Sequence, residues 1–277
     1  MPKSILITGS STGIGKKAAL CLKERGYRVF AGLRKTSDIM ALQALGLETV
    51  MLDVNDSASI ETALAEVLQK TGGTLDALFN NAGYLQAGAI EDLTRDLVRA
   101  QFETNVFGSM ELIQRVLPIM RKQGHGRIIQ NSSILCIVTI PYCGAYNASK
   151  FAIEGFCNTL RQELHHTSIH VSLINPGPIK TKLRENARTQ FVNSLQGQQT
   201  GHYQSVYENL ERNYFDTSKR KDNFDLEPEA VVKSLIHALE HKRPHAHYFV
   251  GIAAKGMALL RRILPDCLLD KLLIKFR

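Results

Sequence analysis

The chain has 277 residues, 44% of them hydrophobic, and its formal net charge is +8 at pH 7. No linker, repeat or run of about 18 apolar residues interrupts the sequence, so we expect one domain over residues 1–277 and no membrane span. Five cysteines without paired spacing indicate reduced thiols, and no signal peptide precedes the first predicted strand, which predicts a cytoplasmic protein. The basic residues are scattered without interleaved aromatic side chains, which argues against nucleic acid as a partner.

The first predicted strand, residues 3–8, leads at once into a glycine-rich turn and a helix from Lys16 to Arg25. Glycines at such a turn let the main chain approach a pyrophosphate, which then lies on the free N–H groups of the helix N-terminus. A strand, a glycine turn and a helix in this order therefore predict a dinucleotide-binding site. Its candidate residues are Gly9, Ser11, Thr12, Gly13, Ile14 and Gly15.

The second predicted strand, residues 27–32, is followed by Arg34 and Lys35, about 20 residues beyond the glycine turn. An acidic residue at this distance is typical of NAD binding, because it accepts hydrogen bonds from the ribose hydroxyls. A guanidinium instead suits the 2′-phosphate of NADP, which it can bind through two parallel hydrogen bonds. The sequence therefore predicts that NADP(H) is preferred over NAD(H).

Strands and helices alternate along the rest of the chain. Further strands are predicted at residues 48–52, 76–79, 126–131, 169–174 and 246–250, and one of the helices between them runs from about Thr94 to Lys122. This alternation predicts an open parallel sheet, in which the carboxyl ends of the strands line the ligand crevice. The residues that follow these strand ends are therefore candidates for cofactor contacts: Asp53, Val54, Asn81, Ala82, Gly83, Pro176, Gly177, Ile179 and Thr181.

Tyr146 and Lys150 are four residues apart in a predicted helix, so their side chains share one helix face. An ammonium beside a phenol favours the phenolate and lowers the phenol pKa towards working pH, which makes the tyrosine a useful general acid/base. Upstream, the strand at 126–131 delivers Ser132 and Ser133. Because side chains on a strand alternate between its faces, only one of these two serines can face Tyr146.

The chain resembles the short-chain dehydrogenase/reductase family in motifs that occur in the family's order: TGSSTGIG at 8–15, Asp53, NNAG at 80–83, Asn105, Ser133, YNASK at 146–150 and PGPIKT at 176–181. The resemblance covers roughly residues 3–181 and implies a single-domain, Rossmann-type doubly wound sheet of about seven strands that binds NAD(P). The pattern is most similar to NADP-dependent reductases of the retinol dehydrogenase and 17β-hydroxysteroid dehydrogenase branch, which has its phosphate-binding arginine at the position of Arg34. One departure is Thr12, where some NADP-preferring members carry a basic residue.

The resemblance also implies roles for four residues. It selects Ser133, which lies 13 residues before Tyr146, to hydrogen-bond the developing oxyanion while Tyr146 donates the proton. Lys150 would lower the pKa of the tyrosine and hold the nicotinamide ribose, and Asn105 would position a water between Lys150 and solvent. The implied reaction is reversible hydride transfer between NADP(H) and a carbonyl or alcohol. A catalytically silent NADP(H) sensor or scaffold of the same fold is the alternative, and the four filled positions argue against it.

Residues 183–225 mix aromatic side chains with many polar ones, which suits a mobile lid with an apolar face over the cleft. We therefore expect a small hydrophobic aldehyde, ketone or alcohol as substrate, in contact with Leu135, Tyr142, Cys143 and Phe191. The alternative for this segment is a helical hairpin at a dimer interface. Family members commonly dimerise through two long helices, here 94–122 and 146–166, so a homo-oligomer, either a dimer or a tetramer, is expected.

The C-terminal extension, residues 255–277, alternates leucines and isoleucines with arginines and lysines and is interrupted at Pro265. This amphipathic basic pattern suits peripheral contact with a membrane surface, and packing on the chain's own core or on a dimer mate is the alternative. His237 and His241 have a spacing that suits metal, but no third ligand stands near them in the sequence. We therefore expect a surface or packing role for the two histidines and no metal site.

Overall fold

In the computed structural model, which describes residues 2–195, 201–215 and 225–274, seven strands form one sheet. The order across the sheet is β3-β2-β1-β4-β5-β6-β7, and every neighbouring pair is parallel. The strands are β1 (Ser4–Ile7), β2 (Arg28–Leu33), β3 (Glu48–Met51), β4 (Ala77–Asn80), β5 (Gly126–Asn131), β6 (Ile169–Pro176) and β7 (His247–Val250). The parallel sheet predicted from the alternation of elements is confirmed, and so is the seven-stranded doubly wound fold that the family resemblance implies.

Helices cover both faces of the sheet, and β1 shows why its sequence is apolar throughout. The helices are α1 (Gly13–Glu24), α2 (Thr36–Gln43), α3 (Ser57–Thr71), α4 (Arg95–Phe102), α5 (Gly108–Gln123), α6 (Gly144–Glu163), α7 (Leu183–Leu195), α8 (Gln204–Asn209), α9 (Glu229–Glu240), α10 (Ile252–Ile263) and α11 (Asp266–Leu273). Leu6 packs into the core on one face with α3, α5 and α6, while Ile5 and Ile7 pack on the other face with α1, α2 and α9.

The strand order reverses direction between β1 and β4, because β2 and β3 lie on one side of β1 and all later strands lie on the other. In an open parallel sheet, ligands bind outside the carboxyl ends of the strands at this reversal point. The glycine turn after β1 and residues 81–83 after β4 lie at this point. The fold therefore brings two of the predicted cofactor segments side by side.

The helix predicted from about Thr94 to Lys122 is not uniform. A π-helical segment, Glu103–Phe107, separates α4 from α5 and contains Asn105. A π-helical insertion of this kind shifts the side chains that follow it around the helix axis and is frequent at functional sites. The helix predicted from Lys16 likewise begins earlier, at Gly13, so two glycines of the turn belong to its first turn.

The C-terminal extension forms α10 and α11, which are separated at Pro265. One side packs on the chain's own core, where Leu269 and Leu273 are buried with Val138. The other side exposes Ile252, Leu259 and Ile263 on α10, together with Leu268 and Ile274. Lys275, Phe276 and Arg277 of the predicted pattern lie outside the described residues. Among the helices described, none is long and apolar enough to cross a membrane.

Candidate active site

Close main-chain contacts define the glycine turn after β1. Gly9 has a φ of 66°, and a Cβ on it would lie 2.8 Å from the Cα of Ala82. A Cβ on Gly15 would lie 2.4 Å from the carbonyl oxygen of Gly9. These contacts exclude a side chain at Gly9 and at Gly15. The main chain at these positions and the first N–H groups of α1 can therefore approach a bound group directly.

Asn81 holds this turn against β4. Its Nδ2 donates to the carbonyl oxygens of Thr8 (3.0 Å) and Gly9 (3.1 Å), and the Thr8 hydroxyl accepts from the main-chain N–H groups of Asn81 and Ala82 at 2.9 Å each. Residues that the sequence analysis predicted as cofactor contacts are thus packed together at the sheet edge. The side-chain amide of Asn81 is engaged in positioning the glycine turn.

Arg34 and Lys35 follow the end of β2 and are exposed. The main-chain N–H of Ser10 donates to the carbonyl oxygen of Gly32 at 3.2 Å, which holds the glycine turn beside that strand end. The N-terminus of α1, the glycine positions of the turn and an exposed guanidinium at the next strand end form a donor set that suits a dinucleotide with an additional phosphate. The preference for NADP(H) over NAD(H) stays a prediction.

Two other predicted cofactor residues follow β3. Asp53 accepts a hydrogen bond from the Asn55 main-chain N–H at its Oδ1 (3.0 Å), and its own N–H donates to Ser59 Oγ at 2.9 Å. Val54 is buried, and its side chain belongs to the core beneath the crevice. Any cofactor contact from Val54 would therefore come from its main chain.

The segment after β6 closes the other side of the crevice. The N–H of Gly177 donates to the carbonyl oxygen of Val250 at 3.0 Å, and Ile179 forms a bridge with Leu226. Thr181 lies against the glycine turn, since a Cβ on Gly13 would be 3.1 Å from its methyl group. The segment that begins at Pro176 thus runs from the end of β6 to the N-terminus of α1, as a cofactor-binding segment requires.

Tyr146 and Lys150 lie one turn apart on α6, and both side chains are buried. The Ser133 hydroxyl lies beside the Tyr146 phenol, close enough to act on its pKa. It accepts a hydrogen bond from the main-chain N–H of Leu135 at 3.1 Å. Ser132 lies instead on the side of Glu154, where its hydroxyl is buried without a hydrogen-bond partner. The structure therefore brings Ser133, and not Ser132, to Tyr146.

Burial dominates the electrostatics of the pair. It raises the pKa of Tyr146, an effect that the neighbouring Ser133 hydroxyl partly offsets, and it lowers the pKa of Lys150 to about 8. The Lys150 Nζ lies 5.5 Å from the Tyr146 ring centroid and donates to the carbonyl oxygen of Asn131 at 2.9 Å. The predicted lowering of the tyrosine pKa by Lys150 is therefore wrong for this arrangement, because desolvation of the phenol outweighs the nearby ammonium.

Asn105, in the π-helical segment, is buried and reaches α6. Its Nδ2 donates to Ser149 Oγ (3.0 Å) and to the carbonyl oxygen of Tyr84 (3.1 Å), and its Oδ1 accepts from the Tyr84 N–H at 3.1 Å. Ser149 Oγ in turn donates to the carbonyl oxygen of Tyr146 at 2.7 Å. Gly83 also belongs to this contact, because a Cβ there would lie 3.1 Å from Asn105 Oδ1. Asn105 thus anchors the first turn of α6 to the loop after β4.

A buried polar group beside Lys150 was missed by the sequence analysis. Glu154 Oε1 accepts a hydrogen bond from Asn175 Nδ2, and Glu154 Oε2 lies 2.9 Å from His247 Nε2. Asn175 also donates to Cys136 Sγ at 3.1 Å. The one signal in the sequence was the position of Glu154, four residues after Lys150 and therefore on the same helix face.

An apolar cluster surrounds the outer side of Tyr146, and we call it the lid cluster. It consists of Leu85, Ala87, Ala89, Cys143, Tyr146, Ala187, Phe191, Leu195, Tyr207 and Phe215. Leu135 and Tyr142 pack against it, so all four predicted substrate residues lie in or beside the cluster. Phe191 is only 1% exposed and packs edge-to-face on Tyr207, with 5.0 Å between the ring centroids.

Hydrogen bonds to the loop after β4 hold the predicted lid, 183–225, over the cleft. The Tyr207 hydroxyl donates to Asp92 and accepts from the Ala89 N–H, and Gln86 Nε2 donates to Ser194 Oγ at 2.9 Å. Residues 196–200 and 216–224 of this segment lie outside the described residues. The described part of the segment is packed through buried aromatic side chains on the loop after β4.

A family model described as short chain dehydrogenase matches residues 3–207. The chain is 37% identical over 273 residues to Uncharacterized oxidoreductase YbbO of Escherichia coli (strain K12), covering 99% of this chain and 94% of YbbO. It is 33% identical over 274 residues to 17-beta-hydroxysteroid dehydrogenase type 1 of Homo sapiens, covering 95% and 81% of the two chains. A solved variant of actinorhodin polyketide ketoreductase with NADPH is similar in structure, with a TM-score of 0.74, 26% identity and coverage of 90% and 95%. With its motifs in order on a seven-stranded parallel sheet, the chain belongs to the short-chain dehydrogenase/reductase family of oxidoreductases.

Proposed function

We propose that this oxidoreductase interconverts a hydrophobic aldehyde or ketone and the corresponding alcohol with NADP(H). The observation that carries the proposal is the placement of the Ser133 hydroxyl beside the buried Tyr146 phenol, with Lys150 one turn away, at the edge of the sheet that also presents the glycine turn. A buried phenol with a serine partner can exchange a proton with a carbonyl or alcohol oxygen.

The glycine turn and the α1 N-terminus would hold the pyrophosphate, Asp53 and Asn81 the adenosine side, and Thr181 the nicotinamide amide. Arg34, supported by Lys35, would bind the 2′-phosphate, and this is the basis for a preference for NADP(H). When bound, the nicotinamide supplies or accepts the hydride. The related polyketide ketoreductase with NADPH supports this choice of cofactor.

The residues of the chain provide the proton transfer and the positioning of the reacting groups. Tyr146 donates its phenolic proton to the carbonyl oxygen in reduction and takes it back in oxidation. Ser133 orients that oxygen and stabilises its developing charge, a contribution of the kind worth a few kcal/mol. Lys150 holds the nicotinamide ribose and keeps positive charge near the phenol. Asn105 supports them by anchoring the start of α6, and the water that it is predicted to position would connect Lys150 with solvent.

The lid cluster supports an apolar substrate, because the side chains next to Tyr146 are aliphatic or aromatic. Leu135, Tyr142, Cys143 and Phe191 would line the substrate. The likeness to 17-beta-hydroxysteroid dehydrogenase type 1, named for a bulky apolar alcohol, points in the same direction.

The test is the rate of NADPH and NADH oxidation by the purified protein with a panel of aliphatic aldehydes, retinal, ketosteroids and small hydrophilic diketones. We expect turnover with NADPH and the highest kcat/KM for the medium- to long-chain or polycyclic carbonyls. Higher kcat/KM for the short hydrophilic carbonyls would contradict the substrate class. Tight NADPH binding without turnover on any carbonyl would contradict the enzymatic proposal and favour a sensor or scaffold.

We also propose a homo-oligomer that forms through α5 and α6. Phe107, Phe151 and Phe156 are 50%, 44% and 46% exposed on or beside these helices, which is unusual for aromatic side chains of an isolated chain. Phe107, Met110 and Phe156 line a groove of about 460 Å³ between them. Light scattering after size exclusion should report a dimer or tetramer, and Phe156→Asp should shift the protein to monomer. A wild-type monomer at micromolar concentration would contradict the proposal.

The exposed side of α10 supports peripheral contact with an anionic membrane. Ile252, Leu259 and Ile263 are 80%, 58% and 65% exposed, and Lys255 and Arg262 are exposed beside them. The expected result is co-sedimentation with phosphatidylserine-containing vesicles that decreases with salt and with Leu259→Asp. Equal recovery with neutral and anionic vesicles would contradict this proposal.

A further inference from the structure

Helix α6 carries three ionisable side chains in one line. Tyr146, Lys150 and Glu154 are spaced four residues apart, so they lie above one another on the same face of the helix. Glu154 is 8% exposed, an uncommon degree of burial for a carboxylate. The first two residues are explained by the proposed reaction, whereas the third has no part in it so far.

Three elements of the fold hold Glu154 in place. Asn175 Nδ2 on β6 donates to Oε1, and His247 Nε2 on β7 lies 2.9 Å from Oε2. Cys136 and Ser132, in the segment after β5, lie beside this carboxylate, and Ser132 Oγ is buried without a hydrogen-bond partner. Burial by itself would raise the pKa of Glu154, but the hydrogen bond with His247, followed by the smaller effects of Cys136 and Ser132, holds the pKa below its usual value. The side chain is therefore a carboxylate at neutral pH.

Lys150 faces this carboxylate from one turn away. Burial lowers the pKa of Lys150 to about 8, and Cys136 and Glu154 act in the opposite direction. Burial also raises the pKa of the Cys136 thiol, so Cys136 is uncharged at neutral pH and Glu154 supplies the negative charge. Tyr146 faces Lys150 as a neutral phenol, and Cys157 faces Glu154 as a neutral thiol, because burial raises the pKa of both.

His247 is the exposed end of the line, with 30% of its side chain accessible to solvent. Glu154 Oε2 thus connects the line of side chains on α6 to His247 on β7.

We propose that Glu154 is a positioning residue that keeps the Lys150 ammonium charged at neutral pH. The role of that ammonium in turnover rests on the function proposed above. The charge effect itself does not, because it is a property of the buried pair in the protein alone.

The first experiment measures the Lys150 titration directly in protein labelled with 13C at the lysine ε-carbons, with the Lys150 signal assigned by its loss in Lys150→Met. Glu154→Gln retains the shape of the side chain and removes its charge. We expect it to lower the Lys150 pKa by about one unit. Glu154→Asp retains the charge, so its Lys150 pKa should be close to that of the wild type.

The matched control is Glu163→Gln, which removes the same charge from the exposed end of α6 and should leave the Lys150 titration unchanged. His247→Gln keeps a hydrogen-bonding side chain next to Glu154 and should not lower the Lys150 pKa. An unchanged titration in Glu154→Gln would overturn the proposal. An equal fall of the Lys150 pKa in Glu163→Gln or in His247→Gln would also overturn it, because the fall would then not depend on the charge of Glu154.

The second experiment is the pH profile of NADPH-dependent turnover. Its alkaline limb should move to lower pH in Glu154→Gln by the amount that the NMR titration gives, and it should stay in place in Glu163→Gln. If the alkaline limb does not move although the Lys150 titration shifts, the protonation of Lys150 does not control the rate of turnover. If no variant and no wild-type protein turns over any carbonyl, the proposed function fails while the measured charge effect stands.

Discussion

Asn131 Nδ2 donates a hydrogen bond of 2.9 Å to Asn81 Oδ1, and this contact joins two parts of the site. Asn131 also accepts from Lys150 Nζ at its main-chain oxygen, and Asn81 donates to the carbonyl oxygens of Thr8 and Gly9. A chain of direct hydrogen bonds thus runs from the proposed proton-transfer residues to the glycine turn. The two halves of the site are therefore positioned relative to each other by two side chains at the carboxyl ends of neighbouring strands, Asn81 directly after β4 and Asn131 at the end of β5.

Asn131→Ala and Asn81→Ala should each destabilise the fold, and together they should cost less than the sum of the two. Each removes one end of the same buried hydrogen bond, so we expect a coupling energy of about 0.5–1.5 kcal/mol. Urea unfolding of the four proteins of the cycle measures it. Asn81→Ala combined with Asn158→Ala, on the far part of α6, should be additive within about 0.5 kcal/mol. Additivity in the first cycle would show that the Asn131–Asn81 contact contributes nothing in solution.

Tyr146→Phe should reduce kcat by a factor on the order of 10²–10⁴ with little change in NADPH affinity, because the ring stays in place and only the proton donor is lost. Stopped-flow turnover and fluorescence titration of NADPH give the two numbers. Tyr27→Phe, at the opposite end of the sheet, removes a hydroxyl that hydrogen-bonds to Glu240 and should leave both unchanged. Turnover of Tyr146→Phe within tenfold of wild type would refute the assignment of the acid/base.

Arg34→Asp should reduce or reverse the preference for NADPH over NADH, because it replaces a phosphate-binding guanidinium with a carboxylate that suits ribose hydroxyls. A preference of roughly ten- to a hundredfold in kcat/KM is expected in the wild type. Arg243→Asp makes the same charge change at the other edge of the sheet, in the exposed connection before β7, and controls for net charge. Equal kcat/KM for both cofactors in the wild type would contradict the role of Arg34.

Tyr207→Phe should loosen the described lid segment without removing its apolar packing. The variant leaves the buried carboxylate of Asp92 without the Tyr207 hydroxyl, a loss of about 1.5–3 kcal/mol for a hydrogen bond to a charged group. Limited proteolysis should then cleave within 183–225 faster than in the wild type. Tyr203→Phe removes a hydroxyl from a partly exposed side chain of the same segment and is the control. Identical digestion rates for Tyr207→Phe and wild type would show that the Tyr207–Asp92 contact does not hold the lid.

Stability should depend on pH through Lys150. Its pKa in the folded protein is lowered from 10.5 to about 8, so between these values the unfolded chain binds more protons than the folded one. The contribution of Lys150 to the free energy of unfolding therefore rises as pH increases from about 8 to 10.5, and it stays at its lower level below about pH 8. Relative to Lys150→Met, the wild type should gain up to about 3 kcal/mol between pH 7 and pH 10. A constant difference between the two proteins in urea unfolding across this range would contradict the buried ammonium.

Several parts of the site could be derived from the sequence because they are local. The glycine turn between β1 and α1 needs glycine wherever main chain packs on main chain, and this pattern is visible within eight residues. The placement of Tyr146 and Lys150 on one face follows from the helical period alone. The alternation of strands and helices is likewise local, and it was sufficient to predict a parallel sheet with its ligand crevice at the carboxyl ends.

The tertiary structure decided which of these local features meet. Strand alternation admitted either Ser132 or Ser133, and the packing of α6 on the end of β5 placed Ser133 at Tyr146 and Ser132 at Glu154. The contacts of Asn131 with Asn81 and of Glu154 with His247 join residues that are 50 and 93 positions apart. The direction of the Tyr146 pKa shift was also decided here, because it depends on how completely the surrounding elements exclude water. Periodicity encodes which face of an element is buried, but not which other element covers it, and the chemistry of this site depends on the covering element.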